Sequence, residues 1–221
     1  MQNSMQEVSR QISKYRGILP QGVQLVAVSK FHPAEAVAEA YAAGQRIFGE
    51  SRADELVAKA AALPDDIKWH FIGHLQTNKV RRIIPHVDTI QSVDSERLLR
   101  LIDEEALRAG RTTYVLLQVH VAAEESKTGF TPDELLQVAA RYAHELRAIR
   151  IKGVMGMATN TDDSDRINAD FQAIAATSQR LRQILPEATE ISMGMSGDFM
   201  HAIAHGATMV RIGTDIFGSR Y

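Results

Sequence analysis

The chain has 221 residues, 45% of them hydrophobic and 24% charged, with a formal net charge of −2 and no cysteine. These are ordinary globular values; they argue against a general binder of nucleic acid or anionic membrane, and they exclude disulfides and thiol metal sites. The first six residues lack the basic and apolar regions of a signal peptide, and no apolar run approaches the ~20 residues of a membrane span, so a cytoplasmic protein is expected.

Met5, Val8, Ile12, Tyr15 and Leu19 recur at helical spacing and predict a leading helix over about 4–19, stopped by Pro20-Gln21-Gly22. A strand over 24–30 follows, in which Leu25, Val26 and Val28 read as buried. Pro33 then opens a helix over about 33–43 that stops at Gly44. The alternation continues with strands over 46–49, 68–73 and 87–93, and with helices over about 52–63, 76–84 and 95–109, the last capped by Ser95. Strand 113–121 leads to a helix over 131–148 that Thr131-Pro132-Asp133-Glu134 opens. Strand 151–157 precedes helix 165–185, strand 189–193 precedes a short helix over about 197–205, and strand 208–212 is the last element.

Eight strand–helix repeats without a Gly-x-Gly-x-x-Gly turn predict an α/β fold of the (β/α)8 TIM-barrel type rather than a dinucleotide-binding sheet. No linker-like stretch interrupts the series, so a single domain over 1–221 is expected. Chemistry in such a barrel sits at the C-terminal strand ends. Lys30 emerges there from an apolar run, and partial desolvation turns a lysine amine into a nucleophile toward aldehydes. The alternative is a snorkelling lysine with its head in water. Gly194-Met195-Ser196-Gly197-Asp198 and Gly213-Thr214 follow the last two strands, where barrels often seat phosphates on backbone N–H groups and hydroxyls. Singly, Ser196 could cap the short helix and Gly213 could merely turn the chain. Together, across the barrel mouth from Lys30, they favour a phosphorylated ligand. A pyridoxal phosphate Schiff base and a class I aldolase acting on a phosphosugar both fit that pattern.

Several blocks then carry a family resemblance: Ala27-Val28-Ser29-Lys30, Phe48-Gly49-Glu50, Trp69-His70-Phe71-Ile72-Gly73 with Leu75-Gln76-x-Asn78-Lys79, Ser126-Lys127-x-Gly129, Gly153-x-Met155, Ser192-Met193-Gly194-Met195-Ser196 and Met209-Val210-Arg211-Ile212-Gly213-Thr214. Over nearly its whole length the chain resembles the pyridoxal phosphate homeostasis proteins, which look like the barrel domain of bacterial alanine racemase standing alone. The resemblance implies a fold-type III barrel with pyridoxal 5'-phosphate as cofactor. It implies that Lys30 forms the internal aldimine, that Ser196, Gly213 and Thr214 hold the phosphate beside Met195, and that Arg211 faces the pyridine nitrogen. An arginine only donates, so it disfavours ring protonation and weakens the ring as an electron sink. The alternative for Arg211 is a strand-end ion pair with a carboxylate. Ser51 departs from the asparagine common at that position in the family and stays outside the expected site, with cofactor contact or helix capping as its possible roles.

A racemase needs an acid/base group on each face of the substrate carbon, which the family comparison places on the lysine and on a partner-subunit tyrosine. The chain ends at Tyr221 with no further β-domain, so the reading is a non-enzymatic carrier that helps set cofactor supply, with apo-enzymes as recipients and a monomeric state. The alternative is an amino-acid racemase working as a bare barrel. His70 with His74 and His201 with His205 are spaced for a metal but lack a third ligand, so no metal is expected. Lys127 is a candidate for cofactor handling, and Lys79, Arg81-Arg82 and Asp103-Glu104-Glu105 read as solvated surface. Residues 159–163 read as a polar loop at the mouth, a candidate lid edge.

Overall fold

The computed structural model describes residues 2–123 and 128–218, with side chains from residue 7 onward. Eight parallel strands close into a barrel in chain order: β1 (Gln24–Val28), β2 (Ile47–Glu50), β3 (Lys68–Phe71), β4 (Val87–Val93), β5 (Thr113–Gln118), β6 (Ile149–Met155), β7 (Glu190–Ser192) and β8 (Met209–Ile212). Helix α1 (Gln2–Ile18) precedes them, and α2 (Ala34–Ala42), α3 (Ala53–Ala62), α4 (Val80–Ile83), α5 (Glu96–Arg108), α6 (Pro132–Tyr142), α7 (Ser164–Ile184) and α8 (Phe199–Ala204) alternate with the strands. The expected (β/α)8 barrel is therefore the observed one. Among the described residues no helix is long and apolar enough to cross a membrane.

The main core lies between sheet and helices, where Leu25, Ala27, Phe48, Trp69, Phe71, Ile90, Val115 and Leu117 meet the buried faces of the helices. Alternate strand residues face the lumen instead, because successive side chains of a strand point to opposite faces. Gly153 shows how tightly β6 meets β7: a Cβ there would sit 1.8 Å from the Glu190 carbonyl oxygen.

The expected elements are all present, with boundaries shifted by local chemistry. Ser95 caps α5 through Leu98 N–H, and Thr131 with Glu134 forms a capping box at α6. Helix α6 ends at Tyr142 rather than near 148, and β6 begins at Ile149. The start of β6 is held by Asp103 on α5, whose Oδ1 accepts from the backbone N–H groups of Arg147, Ala148 and Ile149 at 2.8–3.1 Å. Asp103 is thus a tertiary cap rather than part of a solvated face, and Glu105 beside it is buried against Arg108. A one-turn helix, α9 (Thr214–Phe217), follows β8, where no further element was expected. It ties the barrel's last loop to α1, since Tyr15 donates to Asp215; burial foremost, then that bond, holds the phenol well above its usual range.

Candidate functional site

Lys30 lies half-buried in the turn two residues beyond β1, at the C-terminal mouth of the barrel. Strand β1 pairs with β8 through Ala27 and Ile212, so the loop after β8 runs beside Lys30 and not across the mouth from it. The contact is close. A Cβ on Gly213 would lie 3.2 Å from both Cβ and the carbonyl oxygen of Val28, so glycine lets the loop lie directly on the end of β1. Gly213 is the N-cap of α9 and Thr214 its exposed first residue; Ile216 and Phe217 donate to the Gly213 carbonyl, which leaves the N–H groups of Thr214 and Asp215 without a partner inside the helix.

The loop after β7 is built differently. Gly194 has φ +92°, and a Cβ there would come within 2.6 Å of Ala202, which holds the loop down on α8. Asp198, not Ser196, is the N-cap residue of α8, so the capping alternative for Ser196 fails. Ser196 is half-buried, and Gly197 faces open space. Met195 is different again: its N–H donates to Asp198 Oδ1 at 2.6 Å and its side chain is 43% exposed, so its amide is already committed.

Below the mouth a chain of buried polar groups crosses the lumen. Arg211 on β8 is 5% exposed; it donates to Ser192 Oγ at 2.7 Å and to the Gly156 carbonyl at 2.9 Å. Ser192 on β7 donates to Gln91 Oε1 on β4 at 2.6 Å, across the lumen between strands that do not pair. Gln91 Nε2 lies 2.8 Å from His70 Nδ1 on β3 and 3.0 Å from the Met209 sulfur. The amide nitrogen can only donate, so His70 Nδ1 accepts and the ring is neutral with its proton on Nε2. Burial pushes the His70 pKa down to about 4 against the opposing pull of Asp88. All these bonds point the same way, from guanidinium to imidazole.

The ion-pair alternative for Arg211 is not what the fold builds. No ion pair among the described residues includes it; its hydrogen-bond acceptors are a hydroxyl and a carbonyl. Burial lowers its pKa to about 10, partly offset by the Asp198 charge, so it remains a cation at neutral pH. A desolvated guanidinium served only by neutral acceptors is suited to an anionic or lone-pair-bearing ligand. That donor set fits a pyridine nitrogen or a phosphate, which is the chemistry pyridoxal phosphate presents.

Other candidates fall elsewhere. His74 is an exposed loop residue 3.1 Å from Asp94, far in role from lumenal His70. His201 and His205 both face Asn168 Oδ1, at 3.0 and 3.2 Å. Lys79 pairs with Asp54. Ser51 does not cap α3, whose N-cap is Arg52; its backbone instead meets Gly73, where a Cβ would lie 2.4 Å from the Ser51 carbonyl. Thr159 is not a free lid edge, since buried Asp170 accepts from both its N–H and its hydroxyl at 2.7 and 2.6 Å. Ser126 and Lys127 lie outside the described residues. Sequence reasoning missed the lumenal roles of Gln91 and Ser192; the signal was a polar residue recurring at alternate positions of an otherwise apolar strand, as Thr89 and Gln91 do in β4. It also missed Lys59, whose signal was a lysine in register with Ala53 and Leu56 on the buried face of α3.

Comparison with known proteins agrees with this geometry. Residues 4–221 match the family described as alanine racemase, N-terminal domain. A Schizosaccharomyces pombe protein named pyridoxal phosphate homeostasis protein is 41% identical over 204 residues, covering 90% of this chain and 84% of its own. The human protein of the same name is 38% identical over 210 residues, covering 89% and 76%. Among solved structures, PipY of Synechococcus elongatus with pyridoxal phosphate bound aligns at a TM-score of 0.88 and 40% identity, covering 96% of this chain and all of that one. Alanine racemase of Clostridium difficile shares the fold at a TM-score of 0.75 and 16% identity, with this chain covering 57% of it.

Proposed function

The chain belongs to the pyridoxal phosphate homeostasis protein family, and from that membership we propose that it carries pyridoxal 5'-phosphate covalently on Lys30. Ser196, Gly213 and Thr214 hold the phosphate, and Arg211 faces the pyridine nitrogen. The observation that carries this reading is the pairing of β1 with β8, which sets Lys30 beside the Gly213 loop above a buried guanidinium that has no carboxylate partner among the described residues. Met195 contributes its exposed side chain rather than its amide. The bound cofactor supplies an aldehyde for amines and an electron-withdrawing ring.

The residues of this chain favour holding the cofactor over turning it over. Arg211 is fixed by two hydrogen bonds and only donates, so it keeps the ring nitrogen unprotonated and the ring a weak electron sink. A racemase also needs a second acid/base group over the opposite face. Among the described residues Tyr15, Tyr41 and Tyr142 are bonded to Asp215, Asp66 and Glu96, and Tyr114 lies under Lys152 at the N-terminal end of β5, the end away from the mouth. The protein is thus a non-enzymatic, monomeric single-domain barrel in the cytoplasm that releases pyridoxal phosphate to apo-enzymes that require it.

Incubation with pyridoxal phosphate, borohydride reduction and peptide mass spectrometry test the reading. The expected result is a yellow species and a single adduct on Lys30, both lost in Lys30→Ala, with no rapid racemisation of alanine. Adducts scattered over surface lysines would refute the site and favour an aldolase acting on a phosphosugar; rapid racemisation would refute the carrier role.

A further inference from the structure

A second buried charged cluster lies between the ends of β1 and β2 and helix α3, and the cofactor contacts proposed above do not use it. Glu50, at the end of β2, and Ser29, just past β1, are fully buried, and Lys59 on α3 is 6% exposed. Lys59 Nζ donates to Glu50 Oε1 at 2.6 Å and to the Ser29 carbonyl at 2.8 Å. Ser29 Oγ donates to the same carboxylate oxygen at 2.7 Å. One helical turn before Lys59, Glu55 lies 3.5 Å from its ammonium and accepts from the Phe31 N–H at 2.8 Å.

The arrangement brackets Lys30. The peptide group before it is tied to α3 by Lys59, and the amide after it is tied to the same helix by Glu55, four residues away on one face. Phe31 has φ +67°, a left-handed conformation uncommon for a bulky aromatic, and the Glu55 bond holds its amide there. Arg52 lies 4.9 Å over the Phe31 ring and 3.7 Å from Glu55, closing the clamp from outside.

Stability alone does not call for this construction. Buried ion pairs contribute no more to stability than apolar packing of the same volume, and Glu50 Oε2 is buried without a hydrogen-bond partner. Burial, opposed by Lys59, raises the Glu50 pKa, as expected for a carboxylate held where solvation is poor. What the cluster does supply is direction. A lysine side chain has several rotatable bonds, and fixing the backbone on both sides of its Cα restricts where the amine can reach.

We propose that Lys59 and Glu55, with Glu50 behind them, are positioning residues that aim the Lys30 amine at the aldehyde of a cofactor seated on the Gly213 loop. The inference rests on the Lys30 reading given above. Lys30 Nζ bonds to the aldehyde carbon with release of one water, so no further reactant is required. The clamp acts on that bond and not on the phosphate seat, which lies on other loops.

That separation makes the test. Glu55→Ala removes the tie to Phe31, and Glu55→Gln keeps a carbonyl acceptor in the same place; Glu55 is partly exposed, so both variants keep the core intact. Affinity is measured for pyridoxal phosphate and for pyridoxine 5'-phosphate, which has no aldehyde and reports the seat alone. Glu55→Ala is expected to weaken pyridoxal phosphate binding about tenfold, the scale of one hydrogen bond, with the rate of borohydride-trapped Lys30 adduct falling in step. Pyridoxine 5'-phosphate binding stays within about twofold, and Glu55→Gln restores most of the loss. Lys59→Met, read with the same pair of ligands, shows the same selective loss. Parallel weakening of both ligands, or an unmoved Glu55→Ala in a protein that does form the Lys30 adduct, would overturn the inference alone. Absence of any Lys30 adduct in the unaltered protein would overturn the cofactor reading and the inference with it.

Discussion

Replacing His70 with asparagine isolates the electrostatic consequence of a neutral imidazole inside the barrel. Burial holds the His70 pKa near 4, against 6.5 for a free histidine. Between those values the unfolded chain binds a proton that the folded chain refuses. The stability His70 confers is therefore complete above about pH 6.5 and is lost as pH falls toward 4. A difference of two to three pH units corresponds to about 3 kcal/mol at 1.36 kcal/mol per unit. The asparagine carbonyl can still accept from Gln91 and cannot titrate, but the smaller side chain leaves a void costing roughly 1–2 kcal/mol near neutral pH. Urea unfolding followed by circular dichroism, repeated between about pH 7 and pH 4, gives the two stability curves. The variant should start lower and fall less steeply, so that the difference between the two curves shifts by about 3 kcal/mol and changes sign. In melting temperature the relative change is roughly 6–12 °C for a chain of this length. Curves that stay parallel across that range would refute the assignment of a neutral, chain-oriented His70.

Gly153→Ala would place a methyl group 1.8 Å from the Glu190 carbonyl, so β6 and β7 must separate; a loss of about 3 kcal/mol or more is expected in chemical denaturation, at the upper end for overpacking. Asp103→Ala strips the acceptor shared by the N–H groups of residues 147–149. It should cost about 1–3 kcal/mol and speed amide exchange at those positions before others. Arg211→Met removes a buried cation that has no carboxylate partner among the described residues. Stability without cofactor should change by less than about 1 kcal/mol, because relief of desolvation offsets two lost hydrogen bonds, while pyridoxal phosphate affinity falls at least tenfold. A large drop in ligand-free stability would instead assign Arg211 a structural role.

The sequence alone determined the class of fold and the identity of the strand-end residues. Alternating apolar runs of strand length and amphipathic helical stretches recurred eight times, and that periodicity has one compact closed solution. Ser95 and Thr131 were legible as caps because a hydroxyl before a helix satisfies its own local N–H groups. Lys30, Ser196, Arg211 and Gly213 were legible because position at a strand end is itself a sequence property.

Closure decided the rest. Joining β1 to β8 put residues nearly 200 positions apart side by side, so the Gly213 loop lies against the Lys30 strand and not opposite it. Crossing the lumen joined β4 to β7, which turned Gln91 and Ser192 from stray polar residues into the supports of Arg211. Asp103 fixed the start of β6 from helix α5, a contact no local propensity contains. Lys59 became a buried cation only because Glu50 and the Ser29 carbonyl met it from two strands. Local chemistry is written in neighbouring residues, whereas partners for buried polar groups come from wherever the barrel brings them, and those pairings exist only once the chain has closed.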